Sequence, residues 1–247
     1  MKIRTEEGLK NYYKEKDIVA SYEKSRYGNI KKSLPHWLDC DAVEDLIRKH
    51  AAGQGPLLDL ACGTGRLTRA LGTKGWTVVS ADFAADMLRA ADSTCRAQGV
   101  AARFVQADAL RLPFASACFS AVYTIRFIRH HEKDSRRRIY QEIRRVLRPG
   151  GALVFDVLNA SVDKEPEKRL IYDETYTLAG IAQELEDNGF RLVGRMAGNI
   201  AGVPIVTLAK KWSLIPFGRF LARRYRSRDD ILGCATYWVV AAQRKDT

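Results

Sequence analysis

Between residues 57 and 158, short apolar stretches alternate with amphipathic ones, and this alternation restricts what the chain can fold into. The first stretch, Leu57-Leu58-Asp59-Leu60, follows the break Gly53-Gln-Gly55-Pro56 and ends in a glycine turn. The pattern then predicts helix 65–73, strand 76–81, helix 84–98, strands 102–106 and 118–124, helix 135–147, strand 152–158, helix 177–188 and strands 190–196 and 235–242. Strands separated by helices of this length need crossover connections, which implies an α/β fold with a mostly parallel sheet covered on both faces. Upstream, residues 10–24 and 37–50 read as helices. A chain of 247 residues supplies one full-sized core but is short for two enzyme domains. Residues 1–54 are therefore expected to form a helical lid on a core spanning 55–247. An insertion at 197–232 is too long for a plain connection and is a functional candidate.

Composition narrows the class further. The five cysteines, Cys40, Cys62, Cys95, Cys118 and Cys234, are scattered, with no Cys-x-x-Cys pair, so no disulfide scaffold, zinc ribbon or other metal site is expected. The longest apolar stretch, residues 200–209, is broken by Gly202 and Pro204 and is far short of a membrane span. The N-terminus has a charged start but no apolar signal core, and a cytoplasmic protein is expected. Of the net charge of +12, residues 126–148, with nine basic and three acidic side chains, and residues 211–247, with eight and three, carry nearly all. Such concentration suits an anionic partner, although basic helix faces are commonly just solvated.

The chemistry begins at Asp59-Leu-Ala61-Cys-Gly63-Thr-Gly65, where a strand passes into a helix. Glycines there let the backbone turn sharply and let a ligand approach the main chain. Asp82 ends the second strand, where an acid accepts hydrogen bonds from ribose hydroxyls, and Asp108 ends the third. Three carboxylates at neighbouring strand ends outline a nucleoside pocket.

With these residues the chain resembles the class I S-adenosylmethionine-dependent methyltransferases, of the type 11 kind. Residues 57–68 look like the family's glycine-rich first motif and Ser80-Ala-Asp82-Phe83-Ala-Ala-Asp-Met87-Leu like its second. Gln106-Ala-Asp108-Ala109-Leu-Arg-Leu-Pro113-Phe114 looks like its third, and Glu142-Ile-Arg-Arg-Val-Leu-Arg-Pro149-Gly150-Gly151 like the turn before its fifth strand. Ala61 stands where many members carry the first of three glycines.

The resemblance implies a doubly wound, Rossmann-like, seven-stranded sheet with the last strand antiparallel, and S-adenosyl-L-methionine as cofactor. It implies that Asp59, Ala61, Gly63 and Gly65 surround the methionine portion, that Asp82 holds the ribose, and that Phe83 and Met87 flank the adenine. Asp108 and the Ala109 amide would read the adenine edge, and Thr124 and Ile125 at the end of the fourth strand would complete the site. Tyr22 and Arg26 resemble the family's N-terminal lid, with Arg26 suited to the methionyl carboxylate. NAD-dependent oxidoreduction uses a similar turn and acid, but the third glycine of its fingerprint is missing here.

For the acceptor, Thr124-Ile-Arg126-Phe-Ile-Arg129-His130-His131 lacks the Pro-Pro pair of base-amine methyltransferases, and no Pro-Cys supplies a cytosine nucleophile. His130, just past the fourth strand, is the expected general base, because imidazole exchanges protons near neutral pH. His131 is expected to turn toward the next helix. The expected reaction transfers methyl to an oxygen or nitrogen of a small organic molecule. The alternative is a tRNA, since His130-His131 followed by Arg136-Arg137 looks like a segment of the wobble-uridine methyltransferases. In helix 135–147, Ile139, Ile143, Val146 and Leu147 form the apolar stripe, with Arg137, Arg144 and Arg148 opposite. Residues 212–226 read as a lid packed on the domain or as an amphipathic helix touching a membrane through Phe217, Phe220 and Leu221.

Overall fold

A computed structural model describes residues 3, 5–14, 30–162, 171–198, 220 and 225–245. Two helices come first, α1 (Glu6–Lys14) and α2 (Ile30–His50). The alternating series follows: β1 (Leu57–Leu60), α3 (Arg66–Gly72), β2 (Val78–Asp82), α4 (Ala85–Ala97), β3 (Arg103–Gln106) and β4 (Phe119–Thr124). After a 3₁₀ turn at Ile128–His130 come α5 (Lys133–Val146), β5 (Leu147–Asn159), β6 (Thr175–Tyr176), α6 (Leu178–Asp187), β7 (Phe190–Ala197), α7 (Asp229–Cys234) and β8 (Tyr237–Arg244).

The sheet order is β3-β2-β1-β4-β5-β8-β7, with β6 paired to β5. Strands β1 to β6 pair in parallel, and β8 runs antiparallel between β5 and β7. The antiparallel final strand agrees with expectation, and the sheet has eight strands instead of seven because the two-residue β6 is too short to carry a periodic signal. Several boundaries also differ, and two starts lie five residues or more from the predicted ones. Helix α2 starts seven residues before the predicted 37, passing through Pro35, whose missing N–H normally marks a helix start. Strand β5 begins at Leu147 instead of 152, because Leu147 pairs with Phe119 before the register shifts at the Pro149-Gly150-Gly151 irregularity. A side chain at Gly151 would lie 2.9 Å from the Arg148 carbonyl and 3.1 Å from that of Ser120, so only glycine lets the two strands close there.

Alternation along the strands divides the core between the two faces. Leu58 and Leu60 of β1 pack with Ile139, Tyr140 and Ile143 of α5 and with Ile181 and Leu185 of α6. Leu57 joins Val43, Leu46 and Ile47 of α2 and Leu67 and Leu71 of α3 on the other. The predicted stripe of α5, Ile139, Ile143, Val146 and Leu147, is buried in full.

Around the late segment the chain leaves and rejoins the core at one place. The Ala197 amide donates to the Arg226 carbonyl at 2.9 Å and the Gly198 amide to the Tyr237 carbonyl at 3.1 Å. The Arg226 side chain, 1% exposed, donates to the Leu38 and Asp41 carbonyls and the Asp45 carboxylate of α2. Most of the residues expected to form the insertion lie outside the described residues. Of its predicted amphipathic stretch, 212–226, Phe220, Tyr225 and Arg226 are described; Phe220 and Tyr225 are exposed and Arg226 is buried. Among the described residues, no helix is long and apolar enough to cross a membrane and no cluster of side chains suits a metal ion.

Candidate active site

Strand order reverses between β1 and β4, and in open α/β sheets the crevice beyond the strand ends at such a point takes the ligand. A cleft partly open to solvent lies there. Leu60, Ala61 and Gly63 after β1, Asp82, Phe83 and Met87 after β2, and Asp108 and Ala109 after β3 form one end. Ile125, Arg126, Phe127, His130 and His131 after β4 form the other, and Lys10 and Tyr13 of α1 border it.

The glycine turn is held by Asp82. Its Oδ2 accepts the Gly63 amide at 2.8 Å and its Oδ1 accepts the Ala84 amide at 2.9 Å, which locks the loops after β1 and β2 together. Burial raises the Asp82 carboxyl above the ordinary range against these bonds. Ala61 adopts φ +57°, a region that favours glycine, so the turn carries local strain. A Cβ built on Gly63 meets nothing within 4 Å, so the space over this turn is open.

Three expected cofactor residues do not line the cleft. Asp59 points to the other face, as alternation along β1 requires, and its Oδ2 accepts the Thr68 hydroxyl at 2.6 Å. Gly65, at φ +74°, serves packing, since a Cβ there would lie 2.8 Å from that of Ala91 on α4. Thr124 is fully buried in β4. Tyr22 and Arg26 lie outside the described residues.

Burial holds two acids well above the usual carboxylate range, Asp59 at about 7 and Asp39 at about 6. Thr68 and Tyr123 partly offset this for Asp59, and Arg126 for Asp39. The folded chain therefore binds protons at these sites that the unfolded chain has released above about pH 4, so their contribution to stability falls as pH rises through 6 to 7. Denaturant unfolding of the wild type is expected to show declining stability from about pH 5 to 8, and Asp59→Asn is expected to flatten that decline.

The sequence reading missed several groups at the β4 side. Arg126 holds φ +61°, and its amide donates to Asp156 Oδ1 at 2.6 Å. Its guanidinium stands 3.7 Å from Asp39 Oδ2. Asp156 Oδ2 also faces Arg129 Nε at 3.1 Å, and Arg129 reaches Asp173 at 3.2 Å. Asp173 Oδ1 lies 2.8 Å from His130 Nδ1, which also lies 2.9 Å from the Tyr172 carbonyl. Both neighbours are acceptors, so Nδ1 is the donor of these contacts. Asp156 could have been singled out, as an acid inside the apolar run Leu153-Val-Phe-Asp156-Val-Leu158. His131 is buried beside α5, its Nδ1 3.0 Å from the Phe127 carbonyl.

Comparison with known proteins addresses the same residues. The family described as "Methyltransferase domain" matches residues 57–151, from β1 into β5, which include the glycine turn and both rim acids. Residues 57–151 thus resemble a methyltransferase domain. A demethylmenaquinone methyltransferase of Thermus thermophilus is 46% identical over 100 residues, covering 40% of this chain and 44% of its own. A malonyl-[acyl-carrier protein] O-methyltransferase of Enterobacter lignolyticus is 39% identical over 113 residues, 46% of this chain and 42% of its own. The chain thus spans less than half the length of these curated relatives. Over nearly the whole chain the fold matches the magnesium protoporphyrin IX methyltransferase of Synechocystis with bound SAH, with TM-score 0.66 and 13% identity, covering 98% of this chain and 100% of that one. The matched residues supply the glycine turn and rim acids, while the groups around His130 and Asp173 are partly contributed from outside residues 57–151.

Proposed function

We propose that the protein binds S-adenosyl-L-methionine in this cleft and transfers its methyl group to an oxygen or nitrogen of a small organic molecule. One observation carries the reading. The Asp82 and Asp108 carboxylates bracket an apolar slot made by Phe83, Met87 and Ala109, next to an open glycine turn. Two carboxylates that accept hydroxyl and amine protons, with an apolar slot between them, fit a nucleoside. Asp82 would hold the ribose, Phe83 and Met87 the adenine faces, and Asp108 with the Ala109 amide its edge. The Gly63 region and Ile125 would border the methionine part, while Asp59, Gly65 and Thr124 would act from behind by shaping the turn and the strand end. When bound, the cofactor supplies a sulfonium-borne methyl group that an acceptor takes by in-line displacement.

The acceptor's place is the β4 end of the cleft. Ile125, Phe127 and Ile139 exclude water there, Arg126 and His131 offer polar contacts, and His130 accepts the acceptor's proton at Nε2. This lining favours a small organic acceptor. The relatives act on demethylmenaquinone and on a malonyl group carried by acyl-carrier protein. Arg136, which helped suggest tRNA, is 3% exposed and committed to carboxylates, which removes it from a nucleic-acid surface.

Calorimetry tests the cofactor. Wild type is expected to bind S-adenosylmethionine and S-adenosylhomocysteine in roughly the micromolar range. Asp82→Ala should weaken that affinity by about 100-fold, because two ribose hydroxyls lose their acceptor. Equal binding by both proteins would sink the role of Asp82. Absent cofactor binding would sink the function, and binding of NAD instead would favour oxidoreduction. Labelled cofactor incubated with cell-extract fractions, before and after ribonuclease, identifies the acceptor, and ribonuclease-sensitive labelling would point to RNA.

A further inference from the structure

The rim acid after β3 already has a partner from within the chain. Lys10 Nζ donates to Asp108 Oδ2 at 2.7 Å and stands 4.8 Å from the centroid of the Phe83 ring. The other oxygen, Oδ1, accepts the Leu110 amide at 3.0 Å. Partial burial alone would raise the Asp108 carboxyl, but the Lys10 ammonium and the Leu110 amide hold it below the usual carboxylate range. Both residues proposed above for the adenine, Asp108 for its edge and Phe83 for its face, are therefore engaged by one lysine of α1.

We propose that Lys10 is an internal competitor for adenine, so that cofactor entry displaces this contact and frees α1 from the cleft. The inference rests on reading the cleft as an S-adenosylmethionine site. An adenine amine donating to Asp108 meets the Lys10 ammonium at Oδ2 and the Leu110 amide at Oδ1, and a ring stacked on Phe83 needs the space that the ammonium takes. The ion pair suits exchange. The Lys10 and Asp108 side chains are 26% and 35% exposed, and a pair so open to solvent contributes little and yields to a ligand.

The other anchor of this arm lies at the opposite end of the cleft. Ile3 bridges to Ile171, and its carbonyl accepts the Tyr172 amide at 3.0 Å. Tyr172 in turn accepts from His130 Nδ1 through its own carbonyl. The N-terminal arm thus touches the adenine end through Lys10 and the support of His130 through Ile3, and cofactor binding breaks only the first contact.

Lys10→Met and Lys10→Gln remove the ammonium and keep an unbranched stem one atom shorter. Titrated with S-adenosylhomocysteine at low salt, both variants are expected to bind about fivefold to tenfold more tightly than wild type. At high salt the gap should narrow, since the competing ion pair is screened. Amides of residues 6–14 in the wild type should exchange faster with solvent once S-adenosylhomocysteine is added. Equal or weaker binding by both variants, or slower exchange of these amides with ligand, would overturn the proposal and make α1 a lid that holds the cofactor. If neither wild type nor variants bind, the cofactor reading falls and this proposal with it, an outcome distinct from wild-type binding that the variants weaken.

Discussion

His130→Ala is expected to lower turnover by about 100-fold or more while changing S-adenosylhomocysteine affinity less than about twofold. His130 borders the acceptor end of the cleft, and Nδ1 faces the Tyr172 carbonyl and Asp173. On the proposed reading Nδ1 is the donor to these neighbours and Nε2 would take a proton from an acceptor hydroxyl or amine. Asp173, which Arg129 contacts at 3.2 Å, would then stabilise the imidazolium. The measurement is methyl transfer from labelled cofactor to the acceptor found in the extract screen, with kcat and KM separated. A raised KM at unchanged kcat would make His130 an orienting group. Wild-type turnover would remove it from the mechanism, leaving alignment and exclusion of water as the sources of rate.

Arg136→Ala is expected to cost about 3–5 kcal/mol of stability, because it leaves two carboxylates without their cation. The guanidinium donates to Glu184 through Nε at 2.9 Å and Nη2 at 2.8 Å. Through Nη1 it donates to Glu174 at 2.9 Å and to the His131 carbonyl at 2.8 Å. Tyr140 and Tyr176 also donate to Glu184 Oε1, so removing the arginine leaves a charge centred among rings. A melting point about 10 °C lower is expected. Arg136→Lys should fall between, since an ammonium cannot replace the two-pronged contact. The double variant Arg136→Met with Glu184→Met should regain part of the loss, because it removes the cation together with the more buried carboxylate and leaves only the more exposed Glu174 unpaired. If Arg136→Ala melts with the wild type, the cluster contributes little to stability.

The strand-end acids were legible because periodicity sets which residue closes each strand. Asp82 and Asp108 follow β2 and β3 and line the cleft, as do Ala61, Gly63, Phe83, Met87, Ala109, Ile125 and His130. Asp59 was placed in the cleft by its motif, yet it sits one residue before Leu60 in a strand whose neighbours face opposite ways. That alternation was already visible in the sequence. For Gly65 the resemblance suggested closeness to a ligand, whereas its freedom from a Cβ is used against Ala91. Lys10 and Asp173 left no local signal. Lys10 is 98 residues from Asp108, and Asp173 reaches His130 from just before β6. Only the assembled sheet brings such pairs together, and no pattern in either segment marks them.

The Gly198 amide on the Tyr237 carbonyl and the Ala197 amide on the Arg226 carbonyl fix the two ends of the late segment side by side against β7 and β8. Changes of length or sequence between those two points need not disturb the register of β7 on β8. Doubling such a loop costs only about 0.6 kcal/mol in closure entropy. The segment can thus diverge while the cofactor half stays fixed, as a tool holder accepts different bits.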